Sequence, residues 1–199
     1  MKEMLKNAGI LLAITVIAGF ILGAVYQITK GPIAEAEAAA TMQAYKEVFA
    51  DASDFSEMEV DTGALAAGGI VGTDIDKVLE AKGADGAVLG YVFVITSHEG
   101  YAGDIQFTLG VSNDGTTNGI SILAISETPG LGMEAENVLK PQFVGKKATQ
   151  FNYTKTGAVS EDQIDAISGA TITTNAVTNG VNAGLYYFQN VLEGGMANE

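Results

Sequence analysis

The sequence predicts an α+β protein: one N-terminal transmembrane helix, then a single domain whose twisted antiparallel sheet is packed by helices. Three observations predict it. A chargeless apolar run opens the chain, apolar residues alternate on either side of Asn113-Asp114-Gly115, and Val177, Val181, Leu185, Phe188 and Leu192 recur at helical spacing. A sheet flanked by amphipathic helical segments closes into one layered domain.

The anchor comes first. Residues 7–29 carry no charge, and the apolar core Ala8–Ile28 has 21 residues. As a helix that core is about 31 Å long, which matches the hydrocarbon thickness of a bilayer. Thr15 can bond its own helix backbone, and Tyr26 and Gln27 fall at interface depth. Gly19 and Gly23 form a small-x-x-x-small pair, which permits a close helix neighbour and is equally compatible with lipid. A cleaved signal peptide is the rival reading. Its apolar stretch is usually shorter, and the small residues of 34–40 lie well past the run. Lys2 and Lys6 precede the helix and Lys30 follows it. Two basic residues against one place the N-terminus in the cytoplasm and the domain outside the membrane.

Beyond the anchor, residues 34–50 favour helix. Pro32 can start it, and Met42, Tyr45, Val48 and Phe49 share one face. Residues 51–74 are acidic, broken by Gly63, Gly68, Gly69 and Gly72, and read as an irregular surface segment. The stretch 88–96 is β-branched and aromatic, with Asp85-Gly86 as a turn before it. Ile105, Phe107, Leu109 and Val111 alternate as a half-buried strand should. Asn113-Asp114-Gly115 then turns the chain into a strand through Ile120 and Ile122. Such a sheet needs cover on one face. Residues 134–140 read as a short helix ended by Pro141, and 161–167 as a further turn of helix. The Val177–Leu192 face predicts an amphipathic helix stopped by Gly194-Gly195.

Composition bounds the chemistry. All ten basic residues are Lys, the formal charge is −14, and residues 31–199 hold 23 acidic residues against 7 Lys. Such a surface repels nucleic acid. There is no Cys and one histidine, His98. Disulfides, thiolate metal sites, cysteine-ligated clusters and multi-histidine sites are thereby excluded. His98 reads as a turn or surface residue.

Two segments hold more Gly, Ser and Thr than a core needs. In Glu127-Thr128-Pro129-Gly130-Leu131-Gly132, Pro129-Gly130 suits the centre of a type II turn. Asp165-x-x-Ser168-Gly169-Ala170-Thr171-Ile172-Thr173-Thr174 precedes the last helix, where Thr173, Thr174 or Asn175 can cap. Each is explained by an ordinary turn or cap. Each also suits an anion held by free amides at a helix start. Neither is a phosphate-binding P-loop, and the pattern begun by Gly130 and Gly132 has Ala135 where a dinucleotide fingerprint needs its third glycine.

The run Asp165-x-x-Ser168-Gly169-Ala170-Thr171 resembles the flavinylation motif of FMN-binding domains. Glu127–Gly132 and the hairpin between Gly100 and Ile125 also resemble that family. With one N-terminal membrane helix, the chain is similar throughout to G subunits of the Rnf-type ion-translocating electron transport complex. Related C subunits of the sodium-translocating NADH:quinone oxidoreductase share both motifs. In many relatives a histidine stands two residues before the glutamate; here that residue is Ile125.

The resemblance implies an electron relay in an ion-translocating complex that couples ferredoxin/NAD electron transfer to sodium or proton transport, with no catalysis by this chain alone. It implies FMN joined by its phosphate to Thr171, placed there by a magnesium-dependent flavin transferase. The amides around Ser168, Gly169, Ala170, Thr173 and Thr174 would neighbour the phosphate. Glu127, Thr128, Pro129, Gly130, Leu131 and Gly132 would shape the flavin pocket. Asp165 would orient the segment during transfer. Met133 and Tyr101 would border the ring or pack in the core. Other membrane and redox subunits would be the partners. Residues 1–30 would be the anchor, 31–80 a helical stalk and irregular lead-in, and 81–199 the FMN-binding domain. Two alternatives stand: an anchored FMN-binding protein of another extracytoplasmic electron-transfer system, and a non-redox anchored interaction domain.

Overall fold

The computed structural model describes residues 1–193. The predicted stop at Gly194-Gly195 lies outside them. The chain divides into two compact units, Met1–Met42 and a second beginning at Gln43.

The first unit is helical. It belongs to α1 (Lys2–Val48), which carries Pro32 in its interior rather than at a start. The most apolar stretch of α1 has a mean hydropathy of 2.5 and buries no residue. Among the described residues it is the one helix long and apolar enough to cross a bilayer. Thr15 donates its hydroxyl to the carbonyls of Leu11 (3.1 Å) and Leu12 (2.9 Å). Its polar atom is thus satisfied inside the helix, as an apolar surrounding requires.

The second unit is built on a six-stranded antiparallel meander, β1 (Asp54–Met58), β2 (Thr73–Lys82), β3 (Val88–Ser97), β4 (Ile105–Ser112), β5 (Thr116–Ala124) and β6 (Lys146–Lys147), paired in that order. The predicted irregular segment 51–74 therefore holds β1, the single-turn helix α2 (Ala64–Ala67) and the start of β2. Lys77 and Glu57 pair across β1 and β2 at 2.9 Å. The polar outer face of this edge hid the strand period, because few apolar residues mark it.

Both faces of the sheet are covered, not one. On the first face Phe93, Ile95, Phe107, Leu109 and Ile120 pack with Val177, Val181 and Leu185 of α4 (Thr171–Tyr187). On the second, Leu79, Ala81, Val92 and Val94 pack with Tyr45, Val48, Phe49 and Ala52. The predicted face of the lead-in helix is real except for Met42, which is 47% exposed. Two-sided cover explains why β3 and β4 are buried almost throughout instead of alternating. Each fully buried aliphatic side chain contributes about 2 kcal/mol through removal from water.

After β5 the chain runs through a single-turn 3-10 helix (Gly132–Glu134) and α3 (Ala135–Val138). A second 3-10 turn (Lys140–Phe143) contains Pro141 near its start. Pro141 thus opens a turn rather than ending a helix, since the missing N–H is not needed there. The predicted helical turn at 161–167 is instead β8 (Gln163–Asp165), paired in parallel with β7 (Asn152–Thr154). Ile164 is fully buried between more exposed neighbours, a strand's alternation too short to distinguish from a helical turn.

Candidate functional site

Helix α4 starts at Thr171, earlier than a cap at Thr173, Thr174 or Asn175 would place it. Ala170 occupies the cap position and supplies no side-chain cap. Ahead of it, the Ala170 N–H donates to the Ile167 carbonyl at 3.1 Å, and Gly169 has φ +76°. That closes a tight turn over Ser168-Gly169 of the kind that requires glycine at its third position. The first intrahelical bond is Thr174 N–H to Ala170 C=O, 3.0 Å. The amides of Thr171, Ile172 and Thr173 consequently have no acceptor among the described residues. They point out of the start of a 17-residue helix, where the partial positive charge is concentrated.

The three threonines at this start differ sharply. The Thr174 hydroxyl is buried, accepts the Ile167 N–H (3.1 Å) and donates to Ala170 C=O (2.9 Å). The Thr173 hydroxyl is buried and donates to Glu127 Oε2 at 3.1 Å. Thr171 is partly exposed, and its hydroxyl has no hydrogen-bond partner among the described residues.

The second predicted segment faces the first. The Leu131 N–H donates to Thr128 C=O at 3.1 Å with Gly130 at φ +73°, the type II turn expected of Pro129-Gly130. Leu131 reaches across to Gly169, where an added Cβ would lie 3.0 Å from Leu131 Cδ2. Gly132 is pressed closer still: a Cβ there would stand 2.5 Å from Thr173 Oγ1 and 2.6 Å from Glu127 Cβ. The segments therefore form one assembled wall.

Between them lies a cleft of about 500 Å³. Glu127, Thr128, Leu131 and Gly132 line one side, and Gly169, Ala170, Thr171 and Thr173 the other. Ile172 and Tyr101 complete it; they are 51% and 68% exposed. Among the predicted site residues, Ser168, Pro129 and Gly130 stand exposed in their turns outside this lining, and Thr174 lies buried beneath it. Asp165 also lies outside: it accepts the Ala158 N–H at 2.7 Å and braces the β8 end of the segment. Met133 is exposed and off the lining, and neither it nor Tyr101 packs in the core.

Sequence reasoning missed Ile172 and the amide of Ala102, which donates to Glu127 Oε1 at 3.2 Å. An apolar residue exposed at a helix start is a signal that was available for Ile172; a backbone amide leaves none. His98 holds the loop that carries Ala102, with Nδ1 2.9 Å from Asp104 and Nε2 3.1 Å from Asp74. Hydrogen bonds to Asp104 and then Asp74 raise its pKa above the ordinary imidazole value.

The arrangement fits a flavin phosphate. Three unpaired amides at a helix start suit a phosphate, the apolar rim of Tyr101, Leu131 and Ile172 suits a flat ring, and the volume is in the range of cofactor clefts. Comparison with known proteins agrees with this class. Residues 100–186 match the FMN-binding domain family, and residues 1–48 match the RnfG N-terminal region. The chain is 34% identical over 194 residues to the G subunit of the Na(+)-translocating ferredoxin:NAD(+) oxidoreductase complex of Acetobacterium woodii, covering 96% of this chain and 94% of that one. It is 32% identical over 195 residues to the G subunit of the ion-translocating oxidoreductase complex of Methanosarcina acetivorans, covering 94% and 95%.

The chain belongs to the family of G subunits of ion-translocating oxidoreductase complexes, and it is a single-pass membrane protein. The crystal structure of Shewanella oneidensis NqrC shares its fold, with a TM-score of 0.51 at 20% identity over 75% of this chain and 74% of that one.

Proposed function

We propose that this protein is the membrane-anchored electron-transfer component of an Rnf-type complex, carrying one FMN as a phosphoester on Thr171 Oγ1. When bound, the flavin would supply one-electron acceptance and donation. The chain's own residues do the rest. The amides of Thr171, Ile172 and Thr173 hold the phosphate oxygens. Glu127–Gly132 and Ser168–Ala170 shape the cleft, and Tyr101, Leu131 and Ile172 shield the ring. Thr173 and Thr174 serve the frame that keeps those amides aimed.

The observation that carries this reading is the contrast among the three hydroxyls. An ester requires an oxygen that a transferase can reach and that folding has not already used. Thr173 and Thr174 are 1% and 0% exposed and engaged, whereas Thr171 is partly exposed, unpartnered and part of the cleft lining. The surrounding motif, Asp165 through Thr171, is the one that resembles flavinylation segments. In this reading a flavin transferase matures the protein and the other membrane and redox subunits exchange electrons with it. The ensemble couples ferredoxin/NAD electron transfer to sodium or proton transport. The lysine bias around α1 orients the N-terminus to the cytoplasm and the flavin domain outside.

The test is intact mass after co-expression with a flavin transferase. The wild-type chain gains the mass of FMN less water, and the peptide containing Thr171 carries it. Thr171→Ala abolishes the adduct, while Thr173→Ala and Thr174→Ala retain part of it. An adduct mapped to Thr173 or Thr174 would refute the assignment. Topology is read by protease protection: the domain is cut from the extracytoplasmic side, and cleavage only from the cytoplasmic side reverses the orientation.

A further inference from the structure

Glu127 is the one carboxylate in the cleft lining. It is 6% exposed, yet among the described residues it forms no salt bridge. No lysine lines the cleft. Both carboxylate oxygens are addressed: Oε1 accepts the Ala102 N–H at 3.2 Å and Oε2 accepts the Thr173 hydroxyl at 3.1 Å. The two contacts come from different elements and fix the orientation of the carboxyl group. Two glycines crowd the group into place. A Cβ on Gly100 would lie 2.8 Å from Oε1, and a Cβ on Gly132 would lie 2.8 Å from Oε2. The carboxyl group is therefore fixed, poorly hydrated and without a basic partner among the described residues.

On the reading that FMN occupies this cleft, we infer that Glu127 sets the cofactor's reduction potential, holding it low through a fixed negative charge beside the ring. An electron that the ring accepts without a proton adds negative charge, and a buried carboxylate opposes that addition much more strongly than an exposed one would; an electron followed by a proton from solvent adds none. Nearby charge is one of the means by which a protein tunes a flavin. Ala102 and Thr173 are the positioning partners. They bring the β3–β4 loop and the start of α4 onto the same carboxylate, so its distance from the cleft cannot drift.

The experiment uses the full-length, flavin-transferase-matured protein in detergent and measures the midpoint potential of its flavin by spectroscopic redox titration. The variants are Glu127→Gln and Glu127→Met, which keep the side chain's length and remove its charge. Mass measured first separates the two readings: a wild-type chain without FMN overturns the proposed function itself. With the wild type loaded, both variants are expected to raise the potential. The rise is at least about tenfold in the ratio of reduced to oxidised flavin at a fixed potential, ~59 mV for a one-electron couple. Because the charge is buried, the rise persists from low to high salt.

An unchanged or lowered potential in either loaded variant overturns the inference. So does a rise that vanishes in high salt, which would mark a surface field instead. Failure of both variants to load or fold overturns it as well, by assigning Glu127 to assembly of the wall rather than to the potential.

Discussion

Replacing Gly132 with alanine tests whether the cleft is a preassembled object. The new Cβ would lie 2.5 Å from Thr173 Oγ1, 2.6 Å from Glu127 Cβ and 2.8 Å from Glu127 Oε2. None of these neighbours is the far end of a flexible surface chain: Glu127 and Thr173 are both buried. Accommodation therefore means moving the Glu127–Gly132 loop away from α4. Overpacking of this kind costs about 1–3 kcal/mol. Losing the Thr173–Glu127 hydrogen bond adds about 1 kcal/mol. A total of roughly 2–4 kcal/mol lowers Tm by several degrees in a domain of this size, at about 2–4 °C per kcal/mol.

Thermal and urea denaturation of the full chain in detergent, followed by far-UV circular dichroism, measures that loss. Flavin incorporation on the same sample, read by mass, should fall with it, because the wall facing Thr171 has shifted. Gly130→Ala is the control. Its Cβ meets nothing within 4 Å, so its cost comes only from the φ of +73° and amounts to about 1 kcal/mol. Wild-type stability and wild-type loading in Gly132→Ala would show that the loops are not packed as described.

Two further perturbations address the frame. His98 has a pKa raised by its hydrogen bonds to Asp104 and Asp74. Its stabilising effect is therefore complete below the unfolded imidazole pKa and is lost as pH rises through the higher folded value. The wild-type advantage in Tm over His98→Gln should shrink across that window and, for groups this exposed, amount to at most about 1 kcal/mol; a pH-independent difference would remove the ion pairs from the account. Lys140 is bonded to Glu47 (2.6 Å) and Glu136 (2.5 Å), and Glu47 also accepts the Ser121 hydroxyl. Burial opposes ionisation of Glu47, but the Lys140 and Ser121 hydrogen bonds outweigh it and lower its pKa. The Glu47 side chain is 45% exposed, so solvent screens the pair, and a double-mutant cycle of Lys140→Met and Glu47→Gln should give a coupling of at most about 1 kcal/mol that fades as pH falls through the folded Glu47 value; additive effects would deny the pair.

Much of the architecture was legible because its signals are local. The membrane span is a run of apolar residues, the β4–β5 hairpin follows from strict alternation and Asn113-Asp114-Gly115, and α4 shows a face of Val177, Val181 and Leu185. The segments that escaped depend on distant partners. β1 and the start of β2 lie in an acidic, glycine-broken stretch, and they become strands through pairing of β1 with β2 and of β2 with β3. The burial of Thr108 and Gly110 on the second face comes from Val48 and its neighbours, far away in sequence.

The site divides the same way. The two turns, each with glycine at positive φ, were readable from Pro129-Gly130 and Ser168-Gly169. The division of labour among Thr171, Thr173 and Thr174 was not, because it depends on where α4 starts. A helix beginning at Thr171 turns two expected caps into buried framework residues. The contact of Ala102 with Glu127 is made by a main-chain amide and has no sequence signature at all.

The electrostatics of the cleft bear on why a tether would be used. Residues 31–199 hold 23 acidic residues and 7 Lys, and none of the lining residues is cationic. At physiological ionic strength the field of the distant acids is screened within about 8 Å, but Glu127 lies in the lining itself. Against this stand three helix-start amides and a helix dipole, each interaction contributing about 0.3–1 kcal/mol at an accessible site. That balance gives a freely exchanging flavin phosphate little to hold it. An ester on Thr171 removes the requirement, because the phosphate then stays beside the amides whatever its affinity. Occupancy no longer limits how negative the cleft can be. On the proposed reading, the same carboxylate that would weaken reversible binding could then be kept to disfavour reduction of the ring, and the covalent link and the unpaired Glu127 would be two parts of one design.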